Sequence, residues 1–393
     1  MKSKLIPFYL HGFFREFVML YPVYMLMFES KGLSVIEITW LLMIWSIPVF
    51  VLEIPSGMLA DLWSRKKLIV LGTTLKLAGF TIWLFAQDFA CFAVGFVLWG
   101  IQEAFCSGST EALLFDLLSK HNKNDAYEKY AGRFRFCTGI ASAAAMVLGG
   151  IVSASGYETA AALSVGSLAL SLGFAMLLKD IKNKPHERTT WRIHFAEMKT
   201  GLSLTKKNIG ILVPLGLCVM LAVQPGVLEE YDQLFARRVG LPLVWIGIWG
   251  AARTGMEALG GWLAYSMKRL IKTIGGICLL AAAAGVLLFV SAYVYKAAAL
   301  PLYGLFYMLM SSGYIMAEGR LQREAEPSHR ATVLSVSSLF INLSGMLILA
   351  GFGVASEKWG MRAGFLAMAM LTILSTFMFA LINRALSKRS MTA

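Results

Sequence analysis

Long apolar runs alternate with short polar clusters along the whole chain. The pattern predicts twelve membrane-spanning segments, near 5–28, 35–58, 67–86, 89–118, 131–154, 158–178, 209–235, 243–265, 271–293, 297–319, 332–355 and 360–383. A helix needs roughly 20 apolar residues to cross a bilayer, and the longer runs imply tilt or extension past its surface. One connection is long, 179–208, and it carries eight basic residues (Lys179, Lys182, Lys184, Arg188, Arg192, Lys199, Lys206 and Lys207). The expectation is an all-α integral membrane protein of two pseudo-symmetric six-helix bundles. Residues 1–178 form the first and 209–393, with a short tail, the second; 179–208 is a basic linker between them.

Composition narrows the class. The chain is 58% apolar and 15% charged, with a mean hydropathy of +0.66, whereas soluble domains are nearer half apolar and a quarter charged. A water-soluble enzyme, a disordered chain and a single-span receptor are excluded. The net charge of +13 reads as retention of Lys and Arg in cytoplasmic loops, not as a nucleic-acid footprint. With both termini and the linker cytoplasmic, the inner segments hold 27 basic residues and the outer loops six, leaving Arg15, Lys76 and Arg253 inside spans. This asymmetry predicts a multi-pass protein of the plasma or inner membrane with both ends inside. Cys91, Cys106, Cys137, Cys218 and Cys278 all fall in apolar segments without CxxC or His pairing, so they read as buried thiols, with no metal site or cofactor expected. The N-terminus lacks the short apolar run and small-residue site of a cleaved signal.

The halves are related. Residues 53–72 align without gaps to 257–276 with six identities, Glu53/Glu257, Gly57/Gly261, Leu59/Leu263, Ala60/Ala264, Arg65/Arg269 and Gly72/Gly276. Both segments lie at the turn between the second and third spans of their half. Chance gives one or two identities in such a stretch, so duplication is implied, and duplicated halves are the architecture of alternating-access carriers.

Gly57-Met58-Leu59-Ala60-Asp61-Leu62-Trp63-Ser64-Arg65-Lys66-Lys67 resembles the signature loop G-x-L-A-D-R-x-G-R-K/R of the major facilitator superfamily. Glu53 to Gly57, the run Ser109 to Asp116 in span 4 and Arg330 to Ser335 at span 11 are similar to a bacterial branch of drug and small-molecule exporters. Together with the twelve spans and the second copy of the loop, the resemblance covers essentially the whole chain. It departs at Leu62 and Ser64 in the loop, at Trp99 where an Arg is expected, and in span 5, where Ala141, Ala145, Met146, Gly149 and Gly150 keep small residues but lose the Gly-Pro of antiporters. The resemblance implies a charge network among Asp61, Arg65 and Asp116 that latches a cytoplasmic gate. Glu53, Gly57, Gly261 and Arg269 belong to this gate and its second copy. It also implies that spans 1, 4, 7 and 10 line a central cavity.

Those four spans hold most of the chain's buried-position charge. Charged groups deep in spans line cavities or pair with one another by default. Adjacent Arg15 and Glu16 in span 1 are expected to point in different directions, with Tyr24 further along. Span 4 carries Glu103, Ser107 and Glu111, of which Glu103 and Ser107 are four apart and share a face. Glu229, Glu230 and Asp232 end span 7, Arg253 and Glu257 form an i,i+4 pair in span 8, and Tyr307 and Tyr314 are seven apart on one face of span 10. Arg253–Glu257 reads as a structural pair first, and Lys76 receives no role. A carboxylate left unpaired at mid-membrane favours protonation through desolvation, which suits Glu103 as proton carrier or cation anchor; a pair with Arg15 is the bland alternative.

The function expected is a secondary transporter working by alternating access: proton-coupled efflux, as an antiporter, of a small amphipathic, cationic or zwitterionic compound by a monomer. The runner-up is an importer or facilitator of a small nutrient with the same fold. A membrane-embedded sensor or enzyme comes third, because no metal-ligand cluster, G-x-S-x-G or P-loop is present and His11 is the one His inside a span.

Overall fold

The computed structural model describes residues 2–123, 126–181, 203, 205, 208–326 and 330–392, with side chains for all of these except 2–4, 53–54, 57–58, 60–62, 331 and 385–392. All regular structure among the described residues is helical. Two compact units emerge, Met1–Thr189 with Pro242–Ala251, and Thr190–Leu241 with Ala252–Ala393.

The first unit is built from α1 (Lys2–Glu16), α2 (Tyr24–Ser30), α3 (Val35–Leu62), α4 (Arg65–Phe85), α5 (Phe89–Cys106), α6 (Ser109–Ser119), α7 (Tyr127–Val152) and α8 (Tyr157–Met176). Capping sets several starts. Ser34 forms a capping box with Glu37, Ser64 caps α4 through the Lys67 amide, and Asp88 caps α5 by accepting from the Cys91 amide. That amide holds the Asp88 carboxyl below the usual carboxylate range.

Two of its expected spans are broken. Span 1 stops at Glu16 and resumes at Tyr24, because Pro22 has no N–H and clashes with the preceding turn. In hydrocarbon the freed backbone groups need partners, and α8 supplies them from Ser164 and Ser167, while Ser171 on the same face bonds back to His11 inside α1. Ser164 Oγ accepts from the Leu20 amide at 3.0 Å, Ser167 Oγ donates to the Phe14 carbonyl at 2.8 Å, and Ser171 Oγ donates to the His11 carbonyl at 2.9 Å. Gly149 of α7 lets the break approach, since a Cβ there would overlap the Met19 carbonyl. Span 4 breaks at Ser107–Gly108, where Gly108 takes φ +66°, a backbone open to glycine. Thr110 Oγ1 donates to the Cys106 carbonyl beside it at 2.9 Å.

The second unit contains α9 (Ile209–Glu230), α10 (Asp232–Arg238), the larger part of α11 (Leu243–Leu270), α12 (Ile274–Val294), α13 (Leu300–Glu324), α14 (Arg330–Trp359) and α15 (Met361–Thr392). Its first span is also interrupted, at Tyr231 between α9 and α10. Helix α9 is the most deeply enclosed, packing on α13, α14 and α15. Among the described residues, ten helical stretches are long and apolar enough to cross a membrane. The two expected spans outside that set are the first, shortened by its break, and the eighth, where Arg253 and Glu257 dilute the apolar run.

Candidate functional site

Each unit brings some of the ionised side chains of its spans together in a cluster. In the first unit Arg15 and Glu16 do not diverge as adjacent helical residues should. Glu16 ends α1 and the chain turns sharply there (Val18 N–H to Glu16 O, 2.9 Å), so Arg15 Nε reaches Glu16 Oε1 at 2.8 Å. Lys76, given no role by the sequence, sits beside them. It is 2% exposed, its ammonium is 3.4 Å from the Arg15 carbonyl, and it lies over the rings of Tyr21 and Trp99 at 5.4 and 5.6 Å. Cation–π contact offsets part of its desolvation. Trp99, standing where an Arg was expected, is the ring that Tyr21 stacks on (5.6 Å between centroids), and Tyr24 stacks on Trp83 close by. Glu103 is exposed and acts electrostatically on both Arg15 and Lys76, while Arg15 takes its direct ion pair from Glu16. Two cations therefore face two carboxylates.

The rest of span 4 divides at the break. Ser107 caps α5 and is exposed. Glu111 pairs with Arg135 of α7 at 3.2 Å, both side chains being more than half exposed. The break at Gly108 rotates α6 away from the register of α5, which a continuous helix would have kept.

In the second unit the cluster centres on Arg253, whose side chain is 3% exposed. Its Nη2 reaches Glu229 Oε1 at 2.6 Å and its Nη1 reaches Glu257 Oε2 at 3.2 Å. Nε lies 3.1 Å from Asp232 Oδ2 but is not aligned for a hydrogen bond, so that contact is ionic. Arg253 also lies 4.7 Å from the Tyr307 ring centroid. Tyr307 donates to the Pro225 carbonyl at 3.3 Å and Tyr303 to the Leu228 carbonyl at 3.2 Å. Leu228 is among the last four residues of α9, whose carbonyls have no partner within the helix. The tyrosine pair thus stabilises the break that aims Glu229 and Asp232 at Arg253. Three carboxylates surround one guanidinium. Glu229 and Glu257 are 49% and 42% exposed, and a half-exposed carboxylate needs water, not lipid, on its open side.

The i,i+4 pair Arg253–Glu257 is present, yet it is one contact among several, with Glu229, Asp232, Thr254 and the Tyr307 ring. Glu230, the last residue of α9, is half-buried. Tyr307 works with Tyr303 instead of Tyr314, which lies two turns on beside Cys218 and Glu318. Asp232 and Tyr303 were not singled out with Arg253; the four-residue spacing of Tyr303 and Tyr307 was the available signal. For Lys76 it was the rarity of a lone lysine inside an apolar run.

At the segment resembling the signature loop, Arg65 pairs with Asp116 and donates to the Ala112 carbonyl at 3.1 Å. The backbone of Glu53, Gly57 and Asp61 belongs to α3, but their side chains lie outside the described residues. The second copy is built differently. Arg269 has its own helix's Tyr265 as partner, at 3.5 Å and over its ring. Gly261 has open space around it, its nearest neighbour for a Cβ being Ser311 Oγ at 3.6 Å. The close approach falls one residue earlier, at Gly260, where a Cβ would overlap the Met308 carbonyl and Ser312 Oγ donates to the Gly260 carbonyl at 2.7 Å.

The sequence matches the model of the Major Facilitator Superfamily over residues 10–321. No curated protein sequence matches it. Solved structures similar to this chain include a mutant of the nucleoside transporter NupG (14% identity, TM-score 0.77, covering 96% of this chain and 97% of that one). A bacterial homolog of the human lysosomal transporter Spinster, inward-facing and unoccupied, is 14% identical with a TM-score of 0.73 over 98% and 96% of the chains. An auto-inhibited POT family peptide transporter is 14% identical with a TM-score of 0.70 over 96% of each. With its apolar helices and this match over most of its length, the chain is a multi-pass membrane transporter, not an enzyme, and belongs to the major facilitator superfamily.

Proposed function

We propose that this transporter is a proton-coupled exporter of a small amphipathic compound carrying a positive charge, cationic or zwitterionic, working by alternating access. The observation that carries the reading is the second unit's excess of acid. Three carboxylates, Glu229, Asp232 and Glu257, meet on the Arg253 guanidinium, and an acidic cluster of this kind favours a proton or an organic cation. Arg15 and Lys76 in the first unit, with Glu16 and Glu103 as their counter-charges, supply the positive groups that an anionic group would meet there. Arg65–Asp116 serves as the gate latch, both termini face the cytoplasm of a cell-membrane protein, and a monomer suffices.

A panel of organic cations, zwitterions and neutral analogues, screened by thermal shift on the purified protein, tests the substrate class. Stabilisation confined to neutral compounds overturns it. Uptake of a small metabolite is the second reading. It is favoured by the departures from antiporter sequence at Leu62, Ser64, Trp99, Ala145 and Met146. Comparing metabolites in deletion and wild-type cells and media separates the two: a compound retained in deletion cells supports export, one left in the medium supports uptake.

A further inference from the structure

Beside the gate segment, outside both charge clusters, a groove of about 390 Å³ runs along the first unit's surface. Its walls come from the α3–α4 turn, the first turns of α4 and the end of α8. Trp63, Lys66 and Lys67 stand at one end; Val70, Leu71 and Met176 line the rest. Trp63 and Met176 are 59% and 55% exposed. Thr74, also on the wall, turns its hydroxyl back to the Val70 carbonyl at 2.8 Å, which leaves that stretch apolar outward.

We propose that this groove binds one anionic phospholipid. Its phosphate would lie at Lys66 and Lys67, Trp63 at the headgroup level, and an acyl chain along Val70, Leu71 and Met176. Three observations carry this occupant. The order of the lining, cationic then apolar along one groove, copies the order of a lipid from headgroup to chain. An exposed Trp at a helix turn sits where indoles collect at membrane interfaces. The neighbouring charges are also engaged elsewhere: Arg65 holds Asp116, and Asp180 accepts from Ser64 Oγ at 2.6 Å. Among the described side chains no carboxylate pairs with Lys66 or Lys67. Lys66 and Lys67 therefore offer charge to the leaflet, and their methylene stems extend the apolar wall. Because Ser64 caps α4 at this point, a bound lipid would brace the turn from which Arg65 reaches Asp116.

Tryptophan quenching by lipids brominated in the acyl chain tests the proposal on the purified full chain in mixed micelles. Brominated phosphatidylglycerol is compared with brominated phosphatidylcholine. Each lysine near an anionic lipid surface is worth about fivefold, so phosphatidylglycerol should quench at a mole fraction on the order of tenfold lower. W63F should lose that difference, K66Q/K67Q should lose the preference, and K66R/K67R should keep it. Equal quenching by the two lipids in the unmodified protein overturns the proposal. So does a preference that survives both W63F and K66Q/K67Q, or one abolished by inorganic phosphate, which would mark a free-anion site. If K66Q/K67Q does not fold, the unmodified protein and W63F still decide the matter.

Discussion

The two units begin alike and end differently. Each opens on a span interrupted partway, α1 to α2 in the first and α9 to α10 in the second; the first break puts Glu16 beside half-buried Arg15, the second puts Glu229 and Asp232 beside buried Arg253. In the first unit the freed backbone is held by Ser164 and Ser167 of α8, and the charges come out even. In the second the freed Leu228 carbonyl is held by Tyr303, with Tyr307 bonded to the Pro225 carbonyl one turn earlier, and three carboxylates share one guanidinium. The difference teaches that a balanced cluster suits a fixed scaffold that recognises charge. A cluster with surplus acid has protonation states to exchange.

The comparison can be broken first at Arg253. Arg253→Ala leaves Glu229, Asp232 and Glu257 together without a cation. We expect a loss of roughly 2–4 kcal/mol of stability, below the range for fully buried pairs because two of the carboxylates are half-hydrated. Thermal unfolding in detergent should show it, with partial recovery in Arg253→Ala/Glu257→Gln. An unchanged melting temperature in the single variant would mean the carboxylates never depended on the guanidinium.

Next comes the serine ladder. Ser164→Ala orphans the buried Leu20 amide and should cost about 1–3 kcal/mol, read from the same melts. Ser167→Ala frees an acceptor with two lone pairs and should cost less. Tyr303→Phe removes one hydroxyl from the second unit's break while keeping the ring, so about 1 kcal/mol is expected. A Tyr303→Phe loss larger than that of Ser164→Ala would reverse the roles assigned to the two breaks.

The gate copies allow a smaller test. Asp116→Asn removes the carboxylate that Arg65 holds, whereas Arg269→Gln removes only an exposed contact with Tyr265. Stability should change by under about 1 kcal/mol in Arg269→Gln and by more in Asp116→Asn, whose pair with Arg65 is largely buried. Transport should slow in Asp116→Asn alone, and equal rates would make the signature loop a topology signal only.

Much of this was legible in the sequence because membrane helices announce themselves by length and apolarity. The Arg253–Glu257 spacing and the Arg65–Asp116 partnership were visible too, the first from helical periodicity and the second from the family's loop. What was not legible depends on where the spans break. Glu16 could reach Arg15 only because α1 ends there, and Glu111 meets Arg135 from α6, past the point where Gly108 turns the chain. Asp232 joined Arg253 because Tyr231 interrupts the helix after Glu229. A hydropathy pattern runs straight through all three points. Gly260 and not Gly261 makes the close contact for a related reason: six identities fix a register, not which neighbour's backbone comes closest.

The central claim is that the second unit's surplus of acid couples transport to protons. The direct measurement is fluorescence of a trapped pH dye in proteoliposomes, on addition of the compound that the metabolite comparison identifies. The unmodified protein should move protons opposite to that compound. Asp232→Asn/Glu257→Gln should exchange the compound across the membrane without proton movement, while Glu16→Gln and Glu103→Gln keep the coupling. Proton movement that persists in Asp232→Asn/Glu257→Gln and disappears in Glu103→Gln would contradict the account and place the coupling site in the first unit.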